Sequence, residues 1–209
     1  MPKTGTSTLT VMLRMLGYTV FGPDIDFKKG DDKLLLQKFE QGEPFQDYPW
    51  CFEWQRFTTV NNIKFIILYR DREEWWKSFL QSYGNSGENY LSYPYMNIPK
   101  LEKEKNTFLK FYDEYYKKAN QFMEANPNIC FRTSIKTISW NAICSFLNED
   151  IPINLIGNIS KIPHVNKKNY KLKHSFQYRI LKHIKEAIIK LFGVANYLKL
   201  TSFFHRNRI

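Results

Sequence analysis

The sequence predicts an α/β fold with a mainly parallel central sheet, and three features of it do so. Residues 64–69, Lys-Phe-Ile-Ile-Leu-Tyr, form a continuous apolar run of the kind a strand shows when helices cover both faces of its sheet. Stretches with apolar residues at three- and four-residue spacing lie on both sides of that run, as amphipathic helices require. Strand-like and helix-like stretches alternate along the chain, the order expected of parallel strands joined by crossover helices.

In chain order, the first helix is predicted over Ser7–Leu16, where Leu9, Met12, Leu13 and Leu16 share one side and Gly17 supplies the stop. Tyr18–Phe21 suits a short strand, 22–32 is a Gly/Pro/Asp loop, and Lys33–Phe39 is a modest helix. After the 64–69 strand come a helix over about Arg72–Tyr83 and a long one over about Lys100–Ala125. The second is closed by Asn126-Pro127, because the residue before a proline avoids the helical region. Ile129–Arg132 reads as a strand, Ile138–Leu147 as a helix, and the stretch from Asn148 to about Lys173, with Pro152 and Pro163, as irregular. A last amphipathic helix over about Ser175–Phe192 carries Ile180, Ile184, Ile188 and Leu191 on one side and Lys182, Lys185 and Lys190 elsewhere. In this reading it packs back on the body, giving one domain over 1–173 and a basic helix and tail, 174–209, set against it.

With 43% apolar and 17% aromatic residues, 209 residues suffice for one real core. Apolar runs such as Phe65–Tyr69 and Ala187–Ile189 fall far short of the roughly 18–20 residues that cross a bilayer. No charged-then-apolar leader opens the chain, so a soluble, cytoplasmic protein is expected. Cys51, Cys130 and Cys144 are odd in number, widely spaced and set among apolar neighbours, which fits reduced core thiols rather than disulfides or a metal site. From Lys161 to Ile209 there are twelve Lys or Arg against the single Glu186, the whole of the net charge of +11; residues 1–160 balance to zero. Solvated helix faces account for such a run, and so does a surface for an anionic ligand, including weak contact of the basic helix with an anionic membrane. No motif for sequence-specific nucleic-acid recognition accompanies it, and oligomeric state is not legible.

Two stretches carry chemistry. In Pro2-Lys3-Thr4-Gly5-Thr6-Ser7-Thr8-Leu9, Gly5 removes the Cβ where backbone must approach a ligand, and the amides of about Gly5–Thr8 lie at a helix N-terminus, which favours an anion. Lys3 adds a positive charge, and Thr6, Ser7 and Thr8 add hydroxyls. A plain Thr/Ser helix cap accounts for the same letters. The nucleotide-hydrolase loop is excluded as a match, because there the Lys follows the last Gly and a hydroxyl for magnesium follows the Lys. The second stretch, FIILYRDREEWWKSF, delivers Arg70 at the carboxyl end of a buried strand, where ligands gather in open parallel sheets. Ser78 follows eight residues later on a helix; the bland alternative is an Arg70–Asp71 ion pair and a surface serine.

Together these stretches resemble the cytosolic-type sulfotransferases that use 3′-phosphoadenylyl sulfate (PAPS). The chain is most similar to a sulfotransferase-like P-loop family through PKTGTSTL at 2–9, DYP at 47–49, KFIILYRDREEWWKSF at 64–79, CSFL at 144–147 and PHVN at 163–166. That resemblance implies a three-layer P-loop fold and transfer of a sulfuryl group from PAPS to a hydroxyl or amine of a small molecule or glycan, with no metal. Lys3, Thr4, Gly5, Thr6, Ser7 and Thr8 would then bind the 5′-phosphosulfate, with Lys3 neutralising charge on the bridging oxygen as the S–O bond breaks. Arg70 and Ser78 would hold the 3′-phosphate.

The attacking acceptor must lose a proton, and Asp47 is the ionisable residue where the better-known enzymes keep a His. An Asp near its reference pKa of about 3.9 is a poor base unless burial raises it. Asp47 serves equally well as an N-cap for a helix near Trp50; Glu53 is a lesser candidate, and His164 reads as loop structure. Family members carry a central strand ahead of the loop that this chain lacks, so it reads as N-terminally incomplete, or as a nucleotide-binding pseudoenzyme without activity. The basic tail does not reproduce the cytosolic enzymes' Arg-Lys-Gly segment, for which Lys167 and Lys168 are possible substitutes. An acceptor pocket is expected from 22–45 and 84–100.

Overall fold

Strand β1, Phe65–Tyr69, pairs in parallel with β2, Cys130–Ser134, in a register that sets Phe65 opposite Cys130 and Tyr69 opposite Ser134. The structure is a computed structural model, and it describes residues 1–24, 32–40, 43–83 and 104–163. Around the two strands lie α1 (Thr6–Met15), α2 (Asp32–Phe39), α3 (Trp50–Glu53, continued by a 3-10 turn over Trp54–Phe57), α4 (Arg72–Tyr83), α5 (Lys105–Ala125) and α6 (Trp140–Leu147).

Alternation along β1 sorts its side chains onto two faces. Ile67 and Tyr69 pack against Trp75, Trp76 and Phe79 of α4 and Phe108, Leu109, Tyr112 and Tyr116 of α5. Ile66 and Leu68 pack on the opposite side against Leu9, Met12 and Leu13 of α1 and Ile143 and Cys144 of α6. Helices therefore cover both faces of a small parallel sheet, which is why this strand is apolar at every position. A third cluster gathers Leu35, Tyr48, Trp50 and Phe57, with the Phe39–Phe57 and Phe45–Trp50 rings each 4.1 Å apart.

The element ends follow from capping. α1 stops at Leu16 and Gly17, whose φ of 93° sits in the left-handed region. Asp71 opens α4, its Oδ1 accepting from the Glu73 and Glu74 amides at 3.0 and 2.9 Å. Those hydrogen bonds, the Glu74 amide first, hold the Asp71 carboxyl below its ordinary value. α6 begins two residues later than the apolar pattern predicts, because extended Ser139 caps it by accepting from Ala142 N at 3.2 Å.

One predicted strand does not form. Tyr18–Phe21 contributes only an isolated parallel bridge between Phe21 and Phe45. Pro44 has no amide to extend that pairing, and Gly22 turns away at φ 99°, where a Cβ would lie 2.0 Å from Gln46 O. Among the described residues the sheet is thus two strands. The predicted helix over Ser175–Phe192, the division at 173/174, Lys167 and Lys168, and residues 84–100 of the expected acceptor pocket lie outside the described residues.

Candidate active site

The loop ahead of α1 is pinned at the carboxyl end of β1. Trp75 Nε1 donates to Pro2 O at 3.0 Å, Arg70 Nη1 donates to Lys3 O at 3.1 Å, and the buried Thr4 hydroxyl donates to Met1 O at 2.7 Å. Tyr112, from α5, donates to Arg70 O and so fixes the strand end that carries the guanidinium. Lys3 and Gly5 both hold left-handed backbone, at φ 67° and 114°. Gly5 is the residue from which α1 starts, and no side chain caps that first turn. A Cβ on Gly5 would also sit 3.3 Å from the Ile135 Cβ. The first of the two stretches singled out in the sequence is therefore a tight loop opening onto a helix N-terminus.

Within it the hydroxyls divide. Thr4 and Thr8 are buried, and the Thr4 hydroxyl serves the loop's own backbone, whereas Thr6 and Ser7 keep part of their surface. Thr6 lies beside the Asp47 carboxylate and opposes the rise in its pKa. Asp47 adopts left-handed backbone at φ 60°, and its Oδ1 is buried with no hydrogen-bond partner among the described residues. Burial raises its pKa, opposed by the positive charges of the α-amino group and Lys3. Lys3, Thr6 and Asp47 are thus brought together. Asp47 does not cap α3: Pro49 holds that position and no side chain bonds there. Instead the Asp47 carbonyl accepts from Cys51 N at 2.8 Å.

Arg70 rests directly against the loop. Its Nε is buried without a hydrogen bond, with Glu74 Oε2 3.8 Å away. Ser78 is half-buried, one turn beyond Glu74 on the same side of α4. No hydrogen bond joins Ser78 to Arg70 among the described residues. Asp71 is taken up by the α4 cap, so the strand-end Arg70–Asp71 ion pair does not form.

A cavity of about 650 Å³ adjoins Asp47 and Thr6. One wall is Phe65, Ile66, Ile67 and Leu68, and another is Pro44, Phe45, Gln46 and Asp47. A cavity on one face of a strand meets alternate residues; one that meets four in succession runs along the strand's edge. β2 occupies the other edge of β1, so the cavity follows the edge that no strand pairs among the described residues. Lys3, Arg70 and Ser78 do not line it. The 22–45 segment contributes Phe39, Glu43, Pro44 and Phe45 to its walls.

The family model of the sulfotransferase domain matches residues 26–132, just over half of the chain. The chain belongs to the sulfotransferase family. The matched span includes Asp47, Arg70 and Ser78, and the loop at 2–8 precedes it. No curated protein matches the chain. Membership implies sulfuryl transfer as the general activity, a sulfonate donor, and a small-molecule or macromolecular acceptor.

Sequence reasoning missed three groups around the candidate site. Glu74 lies between Arg70 and Lys136, whose Nζ is 2.7 Å from Glu74 Oε1. Ser134 and Thr137, at the end of β2, share a 2.9 Å hydroxyl contact beside Ile135, which abuts Gly5. The hydroxyl-rich Thr-Ser-Ile-Lys-Thr after a short strand is the signal that marks this place. Cys51 and Tyr115 crowd Asp47: burial pushes the thiol up to about 12 and the phenol well above its ordinary value, Asp47 adding to both. Nothing in the spacing of those two residues reveals that meeting.

Proposed function

We propose that this sulfotransferase takes its sulfuryl group from PAPS and passes it to an acceptor hydroxyl or amine. The observation that carries the reading is the 3.1 Å bond from Arg70 to Lys3 O, which sets the loop and the Arg-bearing strand end side by side. Lys3 and the amides of Gly5–Thr8 would receive the 5′-phosphosulfate at the uncapped start of α1. Arg70 would leave a neutral carbonyl for the 3′-phosphate, a stronger partner for a guanidinium, with Ser78 further along α4.

In the transfer, the acceptor oxygen or nitrogen forms a bond to sulfur as the bond from sulfur to the bridging oxygen breaks, and 3′,5′-ADP departs. Lys3 offsets the negative charge gathering on that bridging oxygen. The acceptor's proton goes to Asp47, whose partnerless Oδ1 and burial-raised pKa make it a better base than an exposed Asp. Lys3 works against that rise, so the two proposed catalytic groups set each other's charge.

A second reading, nucleotide binding without turnover, keeps Lys3, the loop amides and Arg70 as phosphate ligands and gives Asp47 no part in proton transfer. Incubation with 35S-labelled PAPS and a panel of phenols, alcohols and glycans separates the two. Label transferred to an acceptor supports the enzyme. Tight calorimetric binding of 3′,5′-ADP with no transfer to any acceptor leaves the binding module.

A further inference from the structure

Residues Pro152–Ser160 form a small finger whose tip is apolar and fully exposed. Leu155 is 106% exposed and Ile156 80%, with Ile153 at 65% and Ile159 at 60%. The finger is built rather than loose. Ile153 and Ile159 bridge in antiparallel fashion, and Asn154 N, Gly157 N and Ser160 N donate to Asn158 O, Asn154 O and Pro152 O at 2.7, 3.0 and 2.9 Å. Asn154 Oδ1 accepts from the Ile156 and Asn158 amides, each at 3.0 Å. At the roots, Ile151 and Ile162 pack against the α1 and α6 core. The protein thus holds four branched aliphatic side chains out from its surface on a support whose backbone donors are largely satisfied within the finger itself.

Two more observations narrow what that support meets. No charged residue falls between Ile151 and Ser160, and from Lys161 onward the chain carries all of its excess positive charge. An exposed apolar tip next to a strongly basic stretch has the chemistry of an interfacial anchor: aliphatic side chains enter the acyl boundary while Lys and Arg meet anionic headgroups. Either signal alone binds weakly, and together they hold. Self-contained backbone bonding suits insertion of the tip, because the acyl region offers no partner to a bare amide.

We propose that the 152–160 finger is a docking element for an anionic lipid surface, with Leu155 and Ile156 as the inserting residues. The test is flotation of the full chain with vesicles of phosphatidylcholine containing one quarter phosphatidylserine, against pure phosphatidylcholine. The chain is expected to float with the anionic vesicles only, and Leu155→Ser/Ile156→Ser to weaken that binding by at least about tenfold. Because both side chains are already in water, the double variant should keep the wild-type melting temperature, which confirms that it folds. Wild-type binding by the double variant, or no binding by the parent chain, overturns the proposal. So does a dimer in solution that the double variant dissolves without any vesicle binding, which would give the finger to a second copy.

Discussion

Arg70→Ala tests the donor assignment most directly, because the side chain has two separable jobs. In the structure it donates to Lys3 O at 3.1 Å, with its side chain 31% exposed. A hydrogen bond to a neutral carbonyl is worth about 1 kcal/mol. Losing it loosens the loop and weakens any nucleotide resting there by about fivefold at most. In the proposed complex the guanidinium holds the 3′-phosphate, a charged contact worth about 1.5–3 kcal/mol, or roughly 10- to 150-fold in affinity. AMP lacks that phosphate and 3′,5′-ADP has it. Calorimetric titration of both ligands should therefore show AMP within about fivefold of wild type, with 3′,5′-ADP losing about tenfold or more. Arg70→Lys, which keeps the charge but not the two-pronged geometry, should fall between. Equal losses for the two ligands would refute the placement and return Arg70 to a purely structural clamp on the loop.

Four further outcomes follow from the geometry. Asp47→Asn should lower kcat by about 10²- to 10⁴-fold with 3′,5′-ADP affinity kept, if Asp47 is the base; an unchanged rate removes it from the mechanism. Its pKa is raised in the folded state, so folding favours the protonated carboxyl. That stabilisation is complete below the ordinary value of 3.8 and is lost as pH rises through the raised one. Melting curves taken across that interval should show wild type losing ground to Asp47→Asn, and parallel curves would contradict the burial. Tyr116→Phe strips the donor that satisfies Leu68 O at 2.6 Å and should cost about 1–3 kcal/mol in urea denaturation. Gly5→Ala meets both the left-handed φ of 114° and the Ile135 contact, and about 1–2 kcal/mol of lost stability is expected.

The helices were readable because their signals are local. Apolar spacing gave α1 and α4, and Asn126-Pro127 the end of α5, to within a residue or so. The uniform apolarity of Phe65–Tyr69 correctly announced a strand with helices on both faces. Strand pairing was less legible, since it depends on distant partners: Tyr18–Phe21 has the composition of a strand, but Pro44 and Gly22 confine it to one bridge with Phe45. Capping also misled where two residues compete. Asp47 looked as good a cap for α3 as Asp71 is for α4, yet Asp47 sits two positions too early, and its carboxylate turns toward Thr6.

The site shows the same division in chemical terms. The candidate loop and strand-end residues stand out because Gly, Lys and hydroxyls ahead of a helix, and an Arg at the end of a parallel strand, are local patterns that an anion site would use. What tunes them is contributed by side chains far along the chain. Tyr112 fixes the Arg70 carbonyl, Trp75 fixes Pro2, and Tyr115 comes near enough to Asp47 for the carboxylate to raise its pKa. A carboxylate with a reference pKa near 3.9 is an unpromising base on paper, and only the fold, by burying Oδ1 and leaving it without a partner, gives it a claim to the proton. Lys3 then enters on both sides of the balance. The charge that would stabilise the leaving oxygen also lowers the basicity of Asp47, so neutralising Lys3 should raise the Asp47 pKa while slowing the transfer. A rate that instead rose in step with Asp47 basicity would take Lys3 out of the reaction.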